Sequence, residues 1–313
     1  MNPEQSHVEF AALGGTVHIH GYGVDSQASL DRAASIILEL QERLTRFEDD
    51  SELSRLNRDP RTEVPASPLM LRFADAVGYA GTLSHGLVDA TLLDEVQRAG
   101  YVDSLEPGMP GPASNRTAPE PAWETDEPRP AAGNWSSVGI NLTSGAVCRP
   151  VGVKLDSGGL GKGMAADMAA EVLGHLDHFS VDCCGDLAFG GSNVGEREIT
   201  VSSPFADEPP VASLNLRSGG LATSGTTKRS WHHDGGHTSH HLIDPRTGHP
   251  ARTGLAQVTA HAPTALEAEI RTKAALLSGP DGAAEWLIYG GVTVAEDGAV
   301  DVVESSRTAG SHA

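Results

Sequence analysis

The chain has 313 residues, of which 39% are hydrophobic and 20% are charged, values that are typical of a globular protein with a sizeable core. Its formal net charge of -20 opposes binding to nucleic acid or to an anionic membrane, and no basic run interleaved with aromatic residues offsets that charge. The three cysteines, the lack of a leader-like start and the lack of a long apolar run predict a cytoplasmic protein without a disulfide framework or membrane insertion.

The first predicted elements are a strand and two helices. Residues 8–20 predict a strand that bends at Gly14-Gly15, because apolar residues flank the glycines and then alternate with polar ones. Apolar residues at helical spacing run from Leu30 to Phe47, and a second helix is predicted from about Pro68 to Ser84.

The segment 105–134 is rich in Pro, Glu, Asp, Gly and Ala and almost free of aliphatic residues. We predict that it is a flexible acidic insertion within one domain spanning 1–313, and that 305–313 is a disordered tail. Beyond the insertion, strands are predicted at 137–141, 152–155, 179–183, 199–201 and 258–261, and helices at about 161–176 and 264–277. This mixture predicts an α+β fold or an α/β sandwich.

A glycine-rich segment, Asp-Ser-Gly-Gly-Leu-Gly-Lys-Gly at 156–163, follows a predicted strand end and precedes a helix. This geometry presents backbone N–H groups to an anion, and Lys162 adds a positive charge. The segment is neither a Walker A loop, since Gly163 stands where Ser or Thr is required, nor a GxGxxG fingerprint. Taken alone, it is also consistent with a tight strand-to-helix turn that carries a surface lysine.

The glycine-rich segment resembles the D-x-G-G-x-x-K-G motif of the FAD:protein FMN transferase family. Other motifs of that family are matched in the same order by residues 14–16, 47–57, 85–91, 181–186, 222–225 and 241–248. The resemblance covers about residues 13–279. It implies a T-fold of two-layer α/β halves, with FAD bound between them.

The resemblance also implies which residues bind FAD. They are Gly14, Phe47, Leu87, Val88, Asp89, Asp156, Lys162 and Leu242. Phe47 stands where an aromatic residue, commonly Tyr, packs against the cofactor, and it keeps the stacking face without the hydroxyl. An ordinary core position is the alternative interpretation for Phe47 and for Leu87.

Five histidines lie between His232 and His241, which raises the possibility of a zinc site. The run predicts a hairpin that turns at 234–236, and neighbouring residues on a strand point to opposite faces, so His240 and His241 are poorly placed to share one metal. The resemblance implies instead that His241 is a general base that deprotonates an acceptor hydroxyl. A structural role for His241 is the alternative.

The resemblance implies a Mg²⁺ ion held by a backbone carbonyl near the glycine loop, here at Gly159, and by an A-D-x-x-x-T helix. Alignment on Gly279 places Glu269 at the Asp position and Lys273 at the Thr position. An ammonium has no lone pair to offer a metal and repels a cation. Three interpretations follow. Thr272 supplies the oxygen ligand in place of Lys273, or the Lys273 ammonium replaces the metal charge beside the diphosphate. In the third, the protein has lost FMN transfer and kept FAD binding. A solvated ion pair between Glu269 and Lys273, four residues apart on a helix, is the fourth interpretation.

The expected activity is transfer of FMN from FAD to a Ser or Thr hydroxyl of a partner flavoprotein, with release of AMP. The expected cofactors are FAD and Mg²⁺, and the expected partner is the flavin-acceptor protein. Two alternatives remain open at this point: a non-catalytic FAD-binding protein, and a pyrophosphatase that hydrolyses FAD to FMN and AMP.

Overall fold

The computed structural model describes residues 4–102, 117–118, 133–233 and 238–307. The predicted insertion, apart from 117–118 and 133–134, lies outside these residues, as do the predicted hairpin turn at 234–236 and residues 308–313 of the predicted tail. No helix in the described ranges is long and apolar enough to cross a membrane.

The described residues form strands and α-helices in alternating groups. The strands are β1 (Glu4–Ala12), β2 (Gly15–Gly23), β3 (Glu63–Pro65), β4 (Thr117–Ala118), β5 (Gly139–Asn141), β6 (Ala146–Cys148), β7 (His178–Cys183), β8 (Asp186–Gly190), β9 (Arg197–Val201), β10 (Ala212–Leu216), β11 (Gly219–Gly225), β12 (Ser230–His233), β13 (Thr238–His240), β14 (Ile243–Asp244), β15 (His249–Pro250), β16 (Leu255–Ala262), β17 (Gly291–Ala295) and β18 (Val300–Val303). The helices are α1 (Ser26–Leu44), α2 (Glu52–Arg58), α3 (Pro68–Leu83), α4 (Leu93–Arg98), α5 (Gly161–Leu173) and α6 (Ala265–Ala283).

An eight-stranded antiparallel sheet forms the centre of the molecule, in the order β1-β2-β7-β8-β11-β16-β17-β18. Helix α1 packs on β1 and β2, α5 on β7 and β8, and α6 on β11 and β16. Because α5 also packs against both α1 and α6, the three helices form one layer on one face of the sheet. This architecture confirms the predicted α+β class with α/β layers.

The N-terminal strand prediction was incomplete. Where the sequence indicated a bend, the chain reverses completely and β1 pairs with β2 from Glu4↔Gly23 to Ala12↔Gly15. The two loop residues, Leu13 and Gly14, both have positive φ angles, of 55° and 77°. A two-residue hairpin loop requires this conformation because it matches the twist of the strands.

Helix α1 confirms the predicted apolar stripe, since Leu30, Ile37, Leu40 and Leu44 are all buried against the sheet. The helix ends at Leu44, so Phe47 lies beyond it, because the backbone at Thr45 is already extended. Helix α3 confirms the second predicted helix, with its N-terminus capped by the hydroxyl of Ser67.

The predicted strand at 152–155 was wrong: its residues join none of the sheets in the described ranges. Instead, the side chain of Asn57 takes the place of a partner strand. Its amide nitrogen donates to the carbonyl of Leu155 at 2.8 Å, and its amide oxygen accepts from the N–H of Leu155 at 2.7 Å. This pairing fixes the chain just before the glycine-rich loop.

Helices α5 and α6 cross closely at the glycine-rich loop. A Cβ atom on Gly163 would lie 2.7 Å from the carbonyl oxygen of Ala265 and 2.8 Å from Cα of Leu266. The carboxylate of Asp167, on α5, accepts the N–H groups of Ala265 and Leu266 at 2.7 and 2.9 Å. The hydroxyl of Thr264 caps the same helix end by accepting the N–H of Glu267 at 3.1 Å. The crossing therefore holds the start of α5 against the first turns of α6.

Candidate functional site

A cleft that opens to solvent lies above the glycine-rich loop. Its walls come from the loop after α3, from α4, from residues 241–243 and from α6. It brings together eight of the residues singled out from the sequence, namely Leu87, Val88, Asp89, Asp156, Gly159, His241, Leu242 and Lys273. Five others do not line it: Gly14, Phe47, Lys162, Glu269 and Thr272.

The glycine-rich loop begins at a buried ion pair. Oδ1 of Asp156 lies 3.2 Å from Nε of Arg46, and the Asp156 N–H donates to the carbonyl of Ala90 at 2.8 Å. Burial raises the pKa of the Asp156 carboxyl, and the positive charge of Arg46 opposes that rise. Ser157 ties the following turn to the end of α1 by donating to the carbonyl of Leu44 at 2.7 Å. The loop is thus fixed in place before any ligand binds.

Asp89 lines the cleft with a carboxylate that the surrounding chain holds in place. Its Oδ1 accepts from the backbone N–H and the hydroxyl of Thr91, at 2.7 and 2.6 Å. Its Oδ2 is buried against the chain at residues 133–135, since a Cβ atom on Gly133 would lie 2.5 Å from it. Burial raises the pKa of this carboxyl, while the hydroxyl and N–H of Thr91 and the N–H of Trp135 oppose the rise.

An aromatic wall closes one side of the cleft, and the ring that lines the cleft is Tyr101 and not Phe47. Phe47 packs edge-on behind Tyr101, with ring centroids 5.9 Å apart. The Arg46 guanidinium lies over both rings, 4.3 Å from the centroid of Phe47 and 4.8 Å from that of Tyr101. Trp231 stacks against Tyr101 at 5.9 Å and donates from Nε1 to the carbonyl of Ala99 at 2.7 Å. Tyr101 is therefore the aromatic side chain of this group that lines the cleft.

His241 follows β13 and lies in the cleft wall beside Arg229. Burial lowers the pKa of His241 well below its usual value, and the positive charge of Arg229 adds to the effect. His241 is therefore neutral at pH 7. Its Nδ1 lies 3.4 Å from the carbonyl oxygen of Arg229, which can only accept, so the ring proton is assigned to Nδ1 and Nε2 keeps a free lone pair. This is the state that a general base requires.

His240 has a different environment. Its Nε2 donates to the carbonyl of Ala251 at 2.8 Å, and its Nδ1 accepts the N–H of Leu242 at 3.2 Å. Both ring nitrogens therefore bond to backbone groups of other residues, so His240 fixes the backbone next to His241. The two adjacent histidines contact different partners, as the alternation along a strand predicts.

Lys162 points inside the molecule from the first turn of α5 and pairs with Asp186, with Nζ 2.7 Å from Oδ2. Burial alone would lower the pKa of this ammonium, but the carboxylates of Asp186 and Glu269 outweigh burial and raise it. Lys162 is thus charged, and it stands behind the loop as a fixed positive group.

Glu269 and Lys273 form the expected ion pair, but it is not solvated. Nζ of Lys273 lies 3.0 Å from Oε1 of Glu269, and the two side chains are 10% and 1% exposed. Oε2 of Glu269 accepts the N–H of Gly163 at 2.9 Å. Burial raises the pKa of the Glu269 carboxyl, while Lys273 opposes the rise. Lys273 also touches the glycine-rich loop, since a Cβ atom on Gly159 would lie 3.7 Å from Cε of Lys273.

The side chains at this position do not fit a divalent cation. Both carboxylate oxygens of Glu269 are engaged, and the hydroxyl of Thr272 already bonds to Ser224 at 2.8 Å and to the Glu269 carbonyl at 2.9 Å. A cation between these groups would also stand beside the Lys273 ammonium, which repels it and offers no lone pair. Ligation of Mg²⁺ by Gly159, Glu269 and Thr272 stays a prediction, and the observed contacts argue against it.

Four contributors to the site were not singled out from the sequence: Arg46, Tyr101, Asp186 and Arg229. Arg46, Tyr101 and Arg229 reach the site from segments far apart in the chain, and no local spacing links them. A weak signal existed for Tyr101, because the chain is only 4% aromatic and each such residue carries more weight. Gly14 proved to be a neighbour of this group, since a Cβ atom on it would lie 3.6 Å from Nη2 of Arg229.

Comparison with known proteins gives consistent results. The model of the ApbE family matches residues 13–294. A FAD:protein FMN transferase of Haemophilus influenzae is 24% identical over 270 residues, which cover 83% of this chain and 75% of that protein. One from Salmonella typhimurium is 26% identical over 282 residues, which cover 86% of this chain and 77% of that protein. The crystal structure of the ApbE protein from Thermotoga maritima superposes with a TM-score of 0.79 at 22% identity, over 96% of this chain and 97% of that one, which shows a shared fold.

Proposed function

The chain belongs to the ApbE family, and from that premise we propose that it transfers FMN from FAD to a Ser or Thr hydroxyl of a partner flavoprotein and releases AMP. The Haemophilus influenzae and Salmonella typhimurium relatives named FAD:protein FMN transferase align over most of both chains. The observation that carries the proposal is the cleft in which neutral His241 faces the same space as the glycine-rich loop and Lys273.

FAD as substrate supplies the diphosphate bond that is broken, and the residues of the cleft have matching chemistry. Tyr101 supplies an aromatic side chain for contact with the flavin or adenine ring, and the Asp89 carboxylate lines the same cleft. Lys273 and Arg229 place positive charge where a diphosphate approaches the start of α5. Binding of FAD between the two halves of the fold is part of this proposal.

The reaction needs one proton transfer and one displacement. Nε2 of His241 takes the proton of the acceptor hydroxyl, whose oxygen then attacks the phosphorus on the FMN side. The new oxygen–phosphorus bond forms as the bond to the bridging oxygen breaks, and AMP leaves with that electron pair. The Lys273 ammonium lies in position to stabilise the charge that develops on the diphosphate. A cytoplasmic setting for this reaction is likewise a prediction.

The test is incubation of the protein with FAD and a candidate acceptor, followed by separation of nucleotides and in-gel flavin fluorescence. We expect AMP and a covalently fluorescent acceptor, and we expect His241→Ala to reduce both by at least about 100-fold while FAD still binds. His175→Ala is the matched control, because His175 is exposed and follows the opposite end of the 13-residue helix α5. Equal activity of the two variants would refute the role of His241.

The same incubation separates the two alternatives. Release of AMP without any labelled acceptor, in a series of different acceptors, would identify an FAD pyrophosphatase. Stable bound FAD with no AMP under any condition would identify a non-catalytic FAD-binding protein. A non-catalytic FAD-binding protein has no need of a buried, neutral histidine with a free Nε2 in the cleft. A pyrophosphatase would use the same group to activate water, so only the fate of the acceptor separates transfer from hydrolysis.

A further inference from the structure

We propose that the ammonium of Lys273 serves in this chain as a resident cation, so that FAD binds and reacts without a divalent metal ion. The inference rests on the proposed function and concerns the same cleft. It is carried by the contacts of Lys273, Glu269 and Gly159.

The position of Lys273 is that of a cation held by an oxygen ligand beside the glycine-rich loop. Its Nζ lies 3.0 Å from Oε1 of Glu269, and its side chain lines the cleft next to Gly159. Glu269 cannot turn away easily, because its other oxygen accepts the N–H of Gly163 at 2.9 Å and its side chain is 1% exposed. The ammonium is thus built into the molecule at the junction of α5 and α6.

The donors of Lys273 are not used up by this arrangement. An ammonium carries three N–H donors, and the Glu269 carboxylate takes one of them. A second contact, to the carbonyl of Glu269, is long at 3.5 Å. At least one donor therefore remains for a phosphate oxygen in the cleft. A metal ion would offer open coordination positions for the same purpose.

The charges nearby leave no place for an additional dication. Lys273 offsets Glu269, and Lys162 offsets Asp186 at 2.7 Å. A divalent ion inserted into this neutral, buried group would add two positive charges close to two ammonium groups, and only the diphosphate would offset them. The Lys273 ammonium carries one positive charge where a divalent ion would carry two, so it neutralises the diphosphate less fully. Arg229, which also lines the cleft, therefore contributes more to the binding of the diphosphate.

The deciding experiment measures binding and not turnover. FAD affinity of the full-length protein is determined by flavin fluorescence in EDTA and in Mg²⁺, and Mn²⁺ binding is measured by electron paramagnetic resonance with FAD present. We expect the FAD affinity to differ by less than about threefold between the two buffers, and we expect no stoichiometric Mn²⁺. A larger loss of FAD affinity in EDTA, no FAD binding in EDTA, or one Mn²⁺ bound per chain would overturn the proposal.

A double substitution sharpens the test. E269D/K273T restores the Asp and Thr that the A-D-x-x-x-T motif carries, and we expect it to gain one Mn²⁺ per chain and to lose FAD affinity in EDTA, with recovery in Mg²⁺. K154T is the matched control, because Lys154 pairs with Asp94 at 2.7 Å on the surface, where the two side chains are 41% and 56% exposed. If the double variant does not fold, the wild-type measurements still decide the question.

This test is separable from that of the proposed function. Metal-independent FAD binding without any AMP release would refute FMN transfer and would still support Lys273 as the resident cation. AMP release and acceptor labelling that vanish in EDTA together with FAD binding would support transfer and refute the resident cation.

Discussion

Replacement of Gly163 by alanine tests how the two helices form the site. A Cβ atom there would lie 2.7 Å from the carbonyl oxygen of Ala265 and 2.8 Å from Cα of Leu266. Both atoms belong to the backbone of α6, so no side-chain rotation relieves the contact and the helices must separate. Overpacking of this kind costs about 1–3 kcal/mol of unfolding free energy.

Gly161→Ala is the matched control for this measurement. Gly161 lies two residues earlier on the same helix, and a Cβ atom on it would meet only Ser157, with its Cβ at 3.6 Å, which is ordinary contact. Alanine has the higher helix propensity, by about 1 kcal/mol at interior positions, so both variants share a favourable contribution. The difference between the two variants therefore isolates the cost of the helix contact.

The assay is urea unfolding of the FAD-free proteins, followed by far-ultraviolet circular dichroism. We expect Gly163→Ala to be less stable than Gly161→Ala by about 1–3 kcal/mol, with an unchanged dependence on urea. Equal stability of the two variants, or a more stable Gly163→Ala, would refute the close helix crossing.

Four further predictions concern individual side chains. Asp167→Ala should lower the unfolding free energy by about 1–2 kcal/mol, because the carboxylate caps α6. Asp75 is exposed, so Asp75→Ala should change that free energy by less than about 0.5 kcal/mol. If the two variants lost similar amounts of stability in thermal melts, the cap would be contradicted. The lowered pKa of His241 keeps this base neutral as the pH falls, so the acid limb of kcat/KM should lie below about pH 6.5, and a limb above that value would exclude His241 as the base. The same shift should make the fold less stable as the pH falls through that value, because only the unfolded chain then gains the proton. Lys162→Met should cost about 3–5 kcal/mol in urea unfolding, because Asp186 is left buried and unpaired, and K162M/D186L should cost less; a double variant as unstable as the single would contradict the pairing.

Local patterns predicted much of this fold. The apolar spacing in α1, the start of α3 near Pro68 and the start of α6 near Thr264 all depend on residues a few positions apart, so the sequence displays them directly. The Glu269–Lys273 pair also follows from helical spacing, and the structure confirms the contact. Its burial was not predicted, because burial depends on how α5 and β11 cover α6.

Contacts between distant segments account for most of what the sequence missed. The strand prediction at 152–155 was wrong because a local pattern cannot show which groups bond to the backbone. Here the side chain of Asn57, nearly a hundred residues earlier, bonds to both the N–H and the carbonyl of Leu155. Tyr101 became part of the cleft through its packing on Phe47 and Trp231, which are far apart in the chain. Three-dimensional proximity of this kind leaves no periodic signal.

The most direct test of the central claim is the stoichiometry of transfer. The protein, FAD and an acceptor are incubated together, the acceptor is analysed by intact-mass and peptide mass spectrometry, and AMP is counted by chromatography. We predict one AMP for each acceptor molecule that gains one FMN through a phosphoester to a Ser or Thr hydroxyl, and no free FMN. AMP in equal amount with free FMN, and an acceptor of unchanged mass, would contradict FMN transfer.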